Sequence, residues 1–432
     1  MNLFDNSYLS KANAVTEGKL AETFSLDNAK QAIIDKVKGD RFIWGIIIML
    51  SLVSILVVYS ATGSLAYKKY HGNTEYFLFK QVGFSVLGLV LIYLIHQINY
   101  YFFSTLAKYF MAIAIPLLLY TLFFGATINE GSRWIKIPII NQTFQTSDFA
   151  RLALFMFLAR VLSKKQDVIK SFKEGYLKAI IPVIIICALI MPENLSNALL
   201  TGATALLIMY IGRIKFTHIL FTIGLVLIPV AFIVSVAIFS YRGNQAEMDK
   251  PSTYEKVKSF GRLGTWVKRI QDFIFTSKVD APYQRQQANI AIANGSIFFG
   301  VGPGNSTASN YLPQAYNDFI FAIIIEEYGL IGGAFILLLY ILFLYRCIRI
   351  YRKCPFAFGA FLALGLGFTI VIQAFANMAV SVGLVPVTGV TLPLVSMGGS
   401  SFLFTSIAIG IILSVGRNVE SLEGRTAVIP AK

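Results

Sequence analysis

Charged residues, cysteines and histidines are all scarce in this chain. Only 14% of its 432 residues are charged, and it contains three cysteines and three histidines. Cys187 lies in an apolar run, and Cys347 and Cys354 lie in a basic loop, so the sequence predicts neither a disulfide framework nor a zinc site. No basic segment leads directly into an apolar one at the N-terminus, so we expect no cleavable signal peptide. Walker, G-x-S-x-G and D-x-D motifs are also missing, so nothing indicates a nucleotide-binding loop, a nucleophilic serine or that type of metal site.

Apolar residues are abundant instead. They make up 56% of the chain, its mean hydropathy is +0.68, and apolar runs of membrane-spanning length recur. We therefore predict an all-α polytopic membrane protein, a bundle of about ten transmembrane helices with a long extracytoplasmic loop that carries short amphipathic helices. The predicted spans are 42–62, 77–97, 103–125, 148–162, 178–191, 195–212, 217–240, 317–345, 357–384 and 399–416. Two of them, 148–162 and 178–191, fall short of the usual length of about 20 residues, which leaves room for a tilted, broken or re-entrant segment.

Basic residues set the expected orientation of this bundle. Clusters precede the first span and fill three loops on the same side of the ten-span arrangement: Lys36, Lys38 and Arg41; Lys164, Lys165, Lys170 and Lys173; Arg213 and Lys215; Arg346, Arg349, Arg352 and Lys353. The positive-inside rule makes that side cytoplasmic. We therefore expect a cytoplasmic N-terminal tail at 1–41, a ten-helix transmembrane domain at 42–416 and a cytoplasmic C-terminal tail at 417–432.

The large extracytoplasmic loop, 241–316, is itself basic, and this excess of cations outside favours an anionic partner such as a phosphate group. Arg262 and Lys268 are its candidate substrate contacts. Apolar side chains recur in the loop at helical spacing, with lysines and arginines between them: Tyr254, Val257, Phe260, Leu263, Val267, Ile270 and Phe273. This pattern fits a helix that lies flat on the bilayer and equally a helix that packs on the loop's own core.

Three acidic residues mark the segment 311–329. A polar, proline-bearing stretch delivers Asp318 to the first turn of a long apolar run, where the helix dipole stabilises a carboxylate by roughly 0.3–1 kcal/mol. Asp318 is therefore a candidate for chemistry at the point where a membrane helix meets water, with helix capping as the alternative. Glu326 and Glu327 follow roughly 12 Å further along the helix, inside the apolar slab. Acids at that depth indicate a polar core or a pathway, and we favour a buried, hydrogen-bonded pair that fixes helix packing.

Two further outer segments carry candidate substrate-binding residues. The first segment, 126–151, contributes Arg133, Trp134, Lys136, Asp148 and Arg151. Asp148 and Arg151 lie three residues apart on one helix face and can form an ion pair. The second segment, 383–401, is interrupted by prolines and glycines and contributes Ser396, Gly398, Gly399, Ser400 and Ser401. The glycines and serines at its end offer backbone amides that suit an anion or a tight re-entrant turn.

Several motifs follow one another in a specific order between residues 42 and 417. They read G-S-R-W-I and F-Q-T-S-D-F-A-R within 131–151, Y-Q-R-Q-Q-A-N-I-A-I-A-N-G at 283–295, G-V-G-P-G-N-S at 300–306, L-P-Q-A-Y-N-D-F-I-F-A-I-I-I-E-E-Y-G at 312–329 and P-V-T-G-V-T-L-P-L-V-S-M-G-G-S-S at 386–401. With these motifs the chain resembles the SEDS family of FtsW and RodA. The compact G-V-G-P-G-N-S and the full G-G-S-S resemble FtsW, the division member, more than RodA, the elongation member.

The resemblance implies a peptidoglycan glycosyltransferase that polymerises lipid II into glycan strands at the outer face of the bacterial cytoplasmic (inner) membrane, at the division septum. The implied partners are lipid II and the undecaprenyl-diphosphate-linked glycan, a class B penicillin-binding protein that acts as transpeptidase, other division proteins and membrane lipids. No nucleic acid is expected. No cofactor is established, and a divalent cation, Mg²⁺ or Mn²⁺, stays open.

The resemblance also assigns residues. Asp318 matches the family's essential aspartate, Trp134 matches its outer tryptophan, and Gln284 and Gln287 belong to the Y-Q-R-Q-Q motif. Departures from the family pattern occur at Thr146, Asp148, Arg151, Tyr316, Asn317 and Met397, where the family usually has Pro, Glu, Lys, His, Thr and Tyr. The charge signs are kept at 148 and 151, although arginine and lysine differ in reach and in bidentate geometry.

The implied chemistry suits these residues. Joining two saccharides from a lipid diphosphate needs a base for the acceptor hydroxyl, here Asp318 with inversion at the donor carbon, and cations that stabilise the departing diphosphate. The main competing hypothesis is a flippase for the lipid-linked precursor, which needs charge along a path across the bilayer, whereas a polymerase gathers charge at one face. An elongation polymerase of the RodA type and a scaffold that only recruits a transpeptidase also stay open.

Overall fold

A computed structural model describes residues 39–63, 65, 74–128, 131–137, 142–246, 262–275, 283–313 and 315–427. It contains thirteen α-helices and one small sheet within these ranges. The helices are α1 (Arg41–Ala61), α2 (Glu75–Gln97), α3 (Tyr100–Phe124), α4 (Thr146–Lys164), α5 (Leu177–Ile190), α6 (Leu195–Ile211), α7 (Phe216–Ala246), α8 (Arg262–Ile274), α9 (Tyr283–Asn294), α10 (Ala308–Tyr311), α11 (Ile320–Lys353), α12 (Ala357–Ser381) and α13 (Gly399–Ala427). The predicted cytoplasmic tail 1–41 lies almost wholly outside the described residues, as do 247–261 and 276–282 of the large loop.

The predicted all-α polytopic membrane fold is confirmed. Each of the ten predicted spans coincides with one helix, namely α1 to α7 and α11 to α13. Seven of these, α1, α2, α3, α7, α11, α12 and α13, are long and apolar enough to cross a membrane. The other three are α4, which carries three basic residues, and the shorter α5 and α6, of 14 and 17 residues.

The shortness of α5 has a local cause. A single π-helical turn, Phe172–Tyr176, runs directly into Leu177 and extends this helix at the end that carries Lys173 and Lys178. Gly175 is required in this turn because a side chain there would lie 2.4 Å from the carbonyl oxygen of Ile169. The π-helical turn thus lengthens the helix toward the length expected of a membrane span, so no re-entrant loop is needed here.

The core of the bundle is built around α12. This helix packs against α4, α6, α11 and α13, and most of its residues are buried. By contrast α7 is mostly exposed, and its exposed side chains are apolar, as expected for a helix that faces lipid. The buried polar side chains of α12, Gln373 and Asn377, therefore lie in the interior of the protein, whereas Phe375 is exposed.

A small sheet follows α3. The hydropathy pattern did not predict this sheet. Its strands are β1 (Ala126–Ile128), β2 (Gly131–Ile137) and β3 (Gln142–Gln145), and they pair antiparallel in the order β1-β2-β3. Trp134 lies opposite Ala126 on one side and Gln145 on the other. Because β3 runs directly into α4, the sheet is fixed to the start of that helix.

The long helix α11 is broken at Gly329, whose φ of 69° and ψ of −174° are not helical. The loop after α9 fills the break. Val301 N donates to Glu326 O (2.9 Å) and Gly302 N donates to Glu327 O (3.1 Å), while Leu330 N donates to Ser296 O (3.3 Å). The loop therefore satisfies backbone groups that the break leaves without helical partners, as burial inside the bundle requires.

This docking predicts that Gly300 tolerates no side chain. A Cβ at Gly300 would lie 2.2 Å from Glu326 O and 2.3 Å from Glu327 C, both backbone atoms. We expect Gly300→Ala to lower the free energy of unfolding by about 1–3 kcal/mol through overpacking. The measurement is the thermal midpoint of the purified protein in detergent.

The matched control is Gly83→Ala in α2, where nothing lies within 4 Å of the added methyl group. Because alanine favours a helix over glycine, we expect this control to leave stability unchanged or to raise it slightly. Equal thermal midpoints for Gly300→Ala and the parent protein would show that the loop does not dock against α11 as described.

Candidate active site at the Asp318 end of the bundle

Asp318 lies in a turn, residues 315–319, immediately before α11. The expectation that it occupies the first turn of the helix is corrected, because α11 begins at Ile320 with Phe319 as its N-cap. The reason lies in the hydrogen bonds. The carbonyls of Tyr316, Asn317 and Asp318 accept from other segments, whereas Phe319 O accepts from Ala322 N and Ile323 N of α11.

Three hydrogen bonds hold this turn. Met397 N donates to Tyr316 O (2.9 Å), Ser396 Oγ donates to Asn317 O (2.6 Å), and Asn377 Nδ2 donates to Asp318 O (2.8 Å). Three consecutive carbonyls are thus fixed by α12 and by the segment that follows it. The Asp318 side chain itself is half-buried. Burial raises the pKa of the Tyr316 phenol, and the negative charge of Asp318 raises it further. This phenol therefore stays protonated at neutral pH.

Part of the segment between α12 and α13, for which the sequence leaves an anion site or a re-entrant turn open, is buried inside the bundle. Leu394 has a positive φ of 62°, and residues 392–396 are buried. Its carbonyls are satisfied by side chains from three helices: Val390 O by Asn377, Thr391 O by Gln373, Pro393 O by Tyr340 and Val395 O by Ser54. We call residues 385–398 the re-entrant segment.

The predicted pairing of Asp148 with Arg151 is confirmed. Arg151 Nη2 lies 2.8 Å from Asp148 Oδ1, and each residue is only 7% exposed. Arg151 Nη1 also donates to Gln373 Oε1 on α12 at 2.7 Å. A small cavity of about 40 Å³ borders the pair and is also lined by Ser401 of α13. The buried ion pair is thus tied to α12, whose Gln373 in turn donates to the re-entrant segment.

Glu326 and Glu327 form the buried, hydrogen-bonded pair expected from the sequence. The Glu326 carboxylate accepts from four groups: Asn294 Nδ2, Ser306 Oγ, Thr307 Oγ1 and Ala308 N. The Glu327 carboxylate accepts from Ser60 Oγ of α1 and from Gly304 N. Both glutamates are at most 1% exposed. They therefore fasten the loop 295–308 and α1 to α11 at the break described above.

A larger cavity of about 650 Å³ lies against another face of α12. Ile372, Phe375, Ala376 and Ala379 of α12 line it, together with residues of α6, α7, α8 and the re-entrant segment. Its walls are mainly apolar, and Glu193, Asn194 and Arg269 supply polar groups. Arg269 Nη1 donates to Val387 O at 3.1 Å. Sequence patterns did not indicate this cavity because its walls come from five separate parts of the chain.

The remaining predicted substrate contacts fall into two groups. Trp134 is half-buried on β2. The backbone N–H of its strand partner Gln145 donates to Ser400 Oγ (3.0 Å), which joins the sheet to the start of α13. Gly398 and Gly399 lie at that same point, where α13 begins at Gly399. Arg133 and Lys136 have their backbone in β2, but their side chains lie outside the described residues.

The second group lies on α8 and α9. Lys268 is exposed on α8, whereas the side chain of Arg262 lies outside the described residues. Gln284 and Gln287 are half-buried on α9. On α8, Val267 is 2% exposed and Gln271 Nε2 donates to Ala237 O of α7 at 2.9 Å. The described part of the amphipathic helix therefore packs against α7 and borders the large cavity.

Three functional candidates, Gln373, Asn377 and Glu193, were missed at the level of sequence although a signal was present. Gln373 and Asn377 lie four residues apart in an otherwise apolar span, and polar groups inside a membrane helix usually have a role. Glu193 likewise follows directly on an apolar run. Within the described residues no group of three or more His, Cys, Asp or Glu side chains is arranged to hold a metal ion.

Comparison with known proteins gives a consistent result. A family model described as "Cell cycle protein", for FtsW, RodA and SpoVE, matches residues 40–421. The chain is 32% identical over 388 residues to stage V sporulation protein E of Bacillus subtilis, covering 88% of this chain and 98% of that one. It is 31% identical over 389 residues to the probable peptidoglycan glycosyltransferase FtsW of Trichlorobacter lovleyi, covering 88% and 94%.

Solved structures share the fold. One, from work on the structural coordination of polymerization and crosslinking by a peptidoglycan synthase complex, has a TM-score of 0.65 at 22% identity and covers 88% of this chain and 98% of the other. The crystal structure of the rod shape determining protein RodA of Thermus thermophilus has a TM-score of 0.61 at 20% identity and covers 88% and 97%. At these identities the likeness concerns the fold alone.

The buried ion pair generates a prediction. Removing one partner leaves an uncompensated buried charge, which costs about 3–5 kcal/mol, whereas removing both leaves none. In a double-mutant cycle of Asp148→Asn and Arg151→Gln, we expect the double variant to lose less stability than the sum of the single losses. The expected coupling energy is about 1–3 kcal/mol, measured by denaturant unfolding in detergent.

The control cycle uses Glu174 and Lys178, an exposed pair four residues apart. Because exposed pairs contribute little, we expect coupling of at most about 0.5 kcal/mol there. Coupling for Asp148 and Arg151 that is no larger than this control value would refute a buried pair.

Proposed function

The chain belongs to the FtsW/RodA/SpoVE family of cell cycle proteins, and from this membership we propose that it is a peptidoglycan glycosyltransferase that polymerises lipid II. Relatives of 31% identity carry the name of that activity, which supports the proposal. The observation that carries it in this chain is the arrangement around α12. One face of this helix holds the turn that bears the Asp318 carboxylate, and another face lines a large apolar cavity.

The Asp318 end of the bundle faces the outside of the cytoplasmic membrane in this proposal. The opposite helix ends carry Lys164, Lys165, Arg213, Arg346 and Lys353. The positive-inside rule makes their side cytoplasmic and gives both termini the same side. The carboxylate then meets a substrate whose saccharide and diphosphate groups lie at the outer surface.

The cavity suits the lipid part of such a substrate. Its apolar walls along α6, α7 and α12 fit an isoprenoid chain, and burial of apolar surface there contributes roughly 25 cal/mol per Å². Lys268, Arg262 and Arg269 on α8 lie at this side and would hold the diphosphate as charge develops on it. The remaining contacts would come from Arg133, Trp134, Lys136, Gln284, Gln287, Ser396, Gly398, Gly399, Ser400 and Ser401.

Asp318 is the general base of the proposed reaction. It takes the proton of the acceptor hydroxyl while that oxygen forms a bond to the anomeric carbon of the donor saccharide. The bond between this carbon and the diphosphate oxygen breaks on the opposite face, so the configuration inverts and undecaprenyl-linked diphosphate leaves. General-base catalysis typically contributes about 10²–10⁴-fold, and preorganised cations add to it by stabilising the leaving group.

A flippase would need polar groups along a path through the bundle, and Glu326 and Glu327 are the acidic residues that such a path could use. Both carboxylates accept hydrogen bonds from the loop 295–308 or α1 and are almost fully buried, which favours a structural role over a pathway. The gathering of the catalytic candidate and the cavity at one end of the bundle favours a polymerase.

The division role and the partner belong to the same proposal. Relatives named FtsW, the division member of the family, favour septal synthesis over elongation of the RodA type. A related fold is described within a peptidoglycan synthase complex that polymerises and crosslinks. We accordingly assign a class B penicillin-binding protein as the transpeptidase partner, with other division proteins at the septum.

The Asp318 assignment predicts the result of a conservative substitution. Asp318→Asn keeps the size of the side chain but removes the base, so we expect polymerisation of lipid II to fall by about 10²–10⁴-fold while the protein still folds and binds its partner. Asp318→Glu should restore little, since the added methylene displaces the base. The measurement is glycan formation on gels by the purified protein, alone and with its transpeptidase partner.

The matched control is Asp167→Asn, an exposed aspartate at the opposite end of the bundle, which should keep the parental rate. Near-parental polymerisation by Asp318→Asn would mean that Asp318 has a structural role and that the catalytic proposal is wrong. Activity of Asp318→Asn in detergent together with its failure in cells would favour a flippase or a scaffold.

The cations on α8 predict a salt dependence. Lys268 is exposed and lies one turn from Asp272. Burial raises the pKa of the Asp272 carboxyl above its usual value, and the positive charge of Lys268 offsets part of this increase. If Lys268 attracts the diphosphate, Lys268→Gln should weaken polymerisation by about 2- to 5-fold at low ionic strength, and the loss should shrink at high salt where screening is strong.

The control is Lys170→Gln, an exposed lysine in the loop between α4 and α5, for which no salt-dependent loss is expected. The measurement is the rate of glycan formation across an ionic-strength series. A loss in Lys268→Gln that is equal at every salt concentration, or no loss at all, would exclude an electrostatic contact with substrate.

A further inference from the structure

We propose that Asn377 is a positioning residue for Asp318 and that Gln373 links this function to the Asp148–Arg151 ion pair. The inference rests on the proposed function, because it assumes that Asp318 carries out the chemistry. Neither amide is a catalytic residue in this proposal. Each acts by fixing the backbone that carries other groups.

Asn377 joins two segments through one nitrogen atom. Nδ2 donates to Asp318 O at 2.8 Å and to Val390 O at 2.7 Å, so both of its hydrogens are used. The side chain is 0% exposed, and Oδ1 has no hydrogen-bond partner among the described residues. Burial of an unpaired polar atom is costly, so an amide is a poor choice at this position for packing alone. Its donors explain its presence.

The hydrogen bond to Asp318 O differs from the other two hydrogen bonds that hold the turn. Tyr316 O and Asn317 O are held by Met397 N and Ser396 Oγ, both from the re-entrant segment. Of these three carbonyls, Asp318 O is the one held from a helix, the rigid and central α12. Loss of the Asn377 amide would leave two anchors on the turn, so the turn would survive. The peptide of Asp318 would lose its anchor to α12, and the position of the carboxylate would become less defined.

Gln373 lies one turn earlier on the same face of α12. Its Oε1 accepts from Arg151 Nη1 at 2.7 Å and its Nε2 donates to Thr391 O at 3.0 Å. Only a group with both an acceptor and a donor satisfies both contacts, and a neutral amide does so without burying another charge. The Asp148–Arg151 pair is therefore connected to Thr391, next to the Val390 carbonyl that Asn377 holds.

The test compares Asn377→Leu, Asn377→Ser and Asp318→Asn in purified full-length protein, with lipid II polymerisation as the readout. Asn377→Leu keeps the number and branching of the side-chain heavy atoms and removes both donors, whereas Asn377→Ser keeps one donor. A misplacement of about 1 Å can lower a rate by about 10²-fold, so we expect kcat of Asn377→Leu to fall by about that factor. The KM for lipid II should stay within about twofold, because positioning concerns the reacting group and not uniform substrate binding. Asn377→Ser should be intermediate.

Two comparisons separate positioning from simple destabilisation. Ser381→Ala removes a buried hydroxyl one turn further along α12 that donates to Asn377 O of its own helix, and it should keep parental kcat. Gly300→Ala destabilises a region without contact to Asn377, and at a temperature well below unfolding it should keep kcat. A loss of kcat in Gly300→Ala equal to that in Asn377→Leu would overturn the inference, because instability would then explain both.

Each remaining outcome decides between the two proposals. Parental kcat in Asn377→Leu together with inactive Asp318→Asn would overturn the inference and leave the proposed function standing. An increase in KM with unchanged kcat would also overturn it, since Asn377 would then serve substrate binding. If Asn377→Leu does not fold, parental kcat in Asn377→Ser would overturn it. Active Asp318→Asn would instead overturn the proposed function.

Discussion

Two buried irregular stretches of the described backbone, the re-entrant segment and the break in α11, receive hydrogen bonds from other parts of the protein. A membrane interior offers no water to unpaired carbonyls, so each non-helical stretch at depth needs protein donors. The re-entrant segment obtains them from Ser54, Tyr340, Gln373 and Asn377. The break in α11 at Gly329 obtains them from the loop after α9. The same requirement thus explains the polar residues of three apolar helices and the close docking of two loops.

The proposed function depends on this requirement because the candidate base, Asp318, lies on irregular backbone. The turn 315–319 is itself neither helix nor strand, and its carbonyls are held by α12 and by the re-entrant segment. The re-entrant segment is in turn held by α1, α11 and α12. A carboxylate on a flexible loop would be poorly placed for proton abstraction, whereas one fixed through several helices is preorganised. The polar side chains that stabilise the fold are therefore also those that place the candidate base.

Hydropathy predicted the fold well because span length is a local property. Each of the ten spans overlaps one helix, although the helix after Asp318 begins at Ile320 and continues to Lys353. Local spacing also sufficed for the pairing of Asp148 with Arg151. The sheet around Trp134, the large cavity and the roles of Gln373 and Asn377 depend on contacts between distant segments, such as the 59 residues that separate Asn377 from Asp318. Amides at i and i+4 indicated a buried face, but their partners could not be read from the sequence.

The two faces of α12 relate the lipid to the chemistry in the proposed enzyme. Ile372, Phe375 and Ala376 border the apolar cavity, while Gln373 and Asn377, on neighbouring positions of the same turns, hold the polar side. A substrate with an isoprenoid chain and a charged saccharide head needs both environments close together, and a single rigid helix keeps their separation constant. Because α12 is buried among four other helices, that separation does not depend on the bilayer. The charged head can then react repeatedly at one place while the lipid chain enters and leaves beside it.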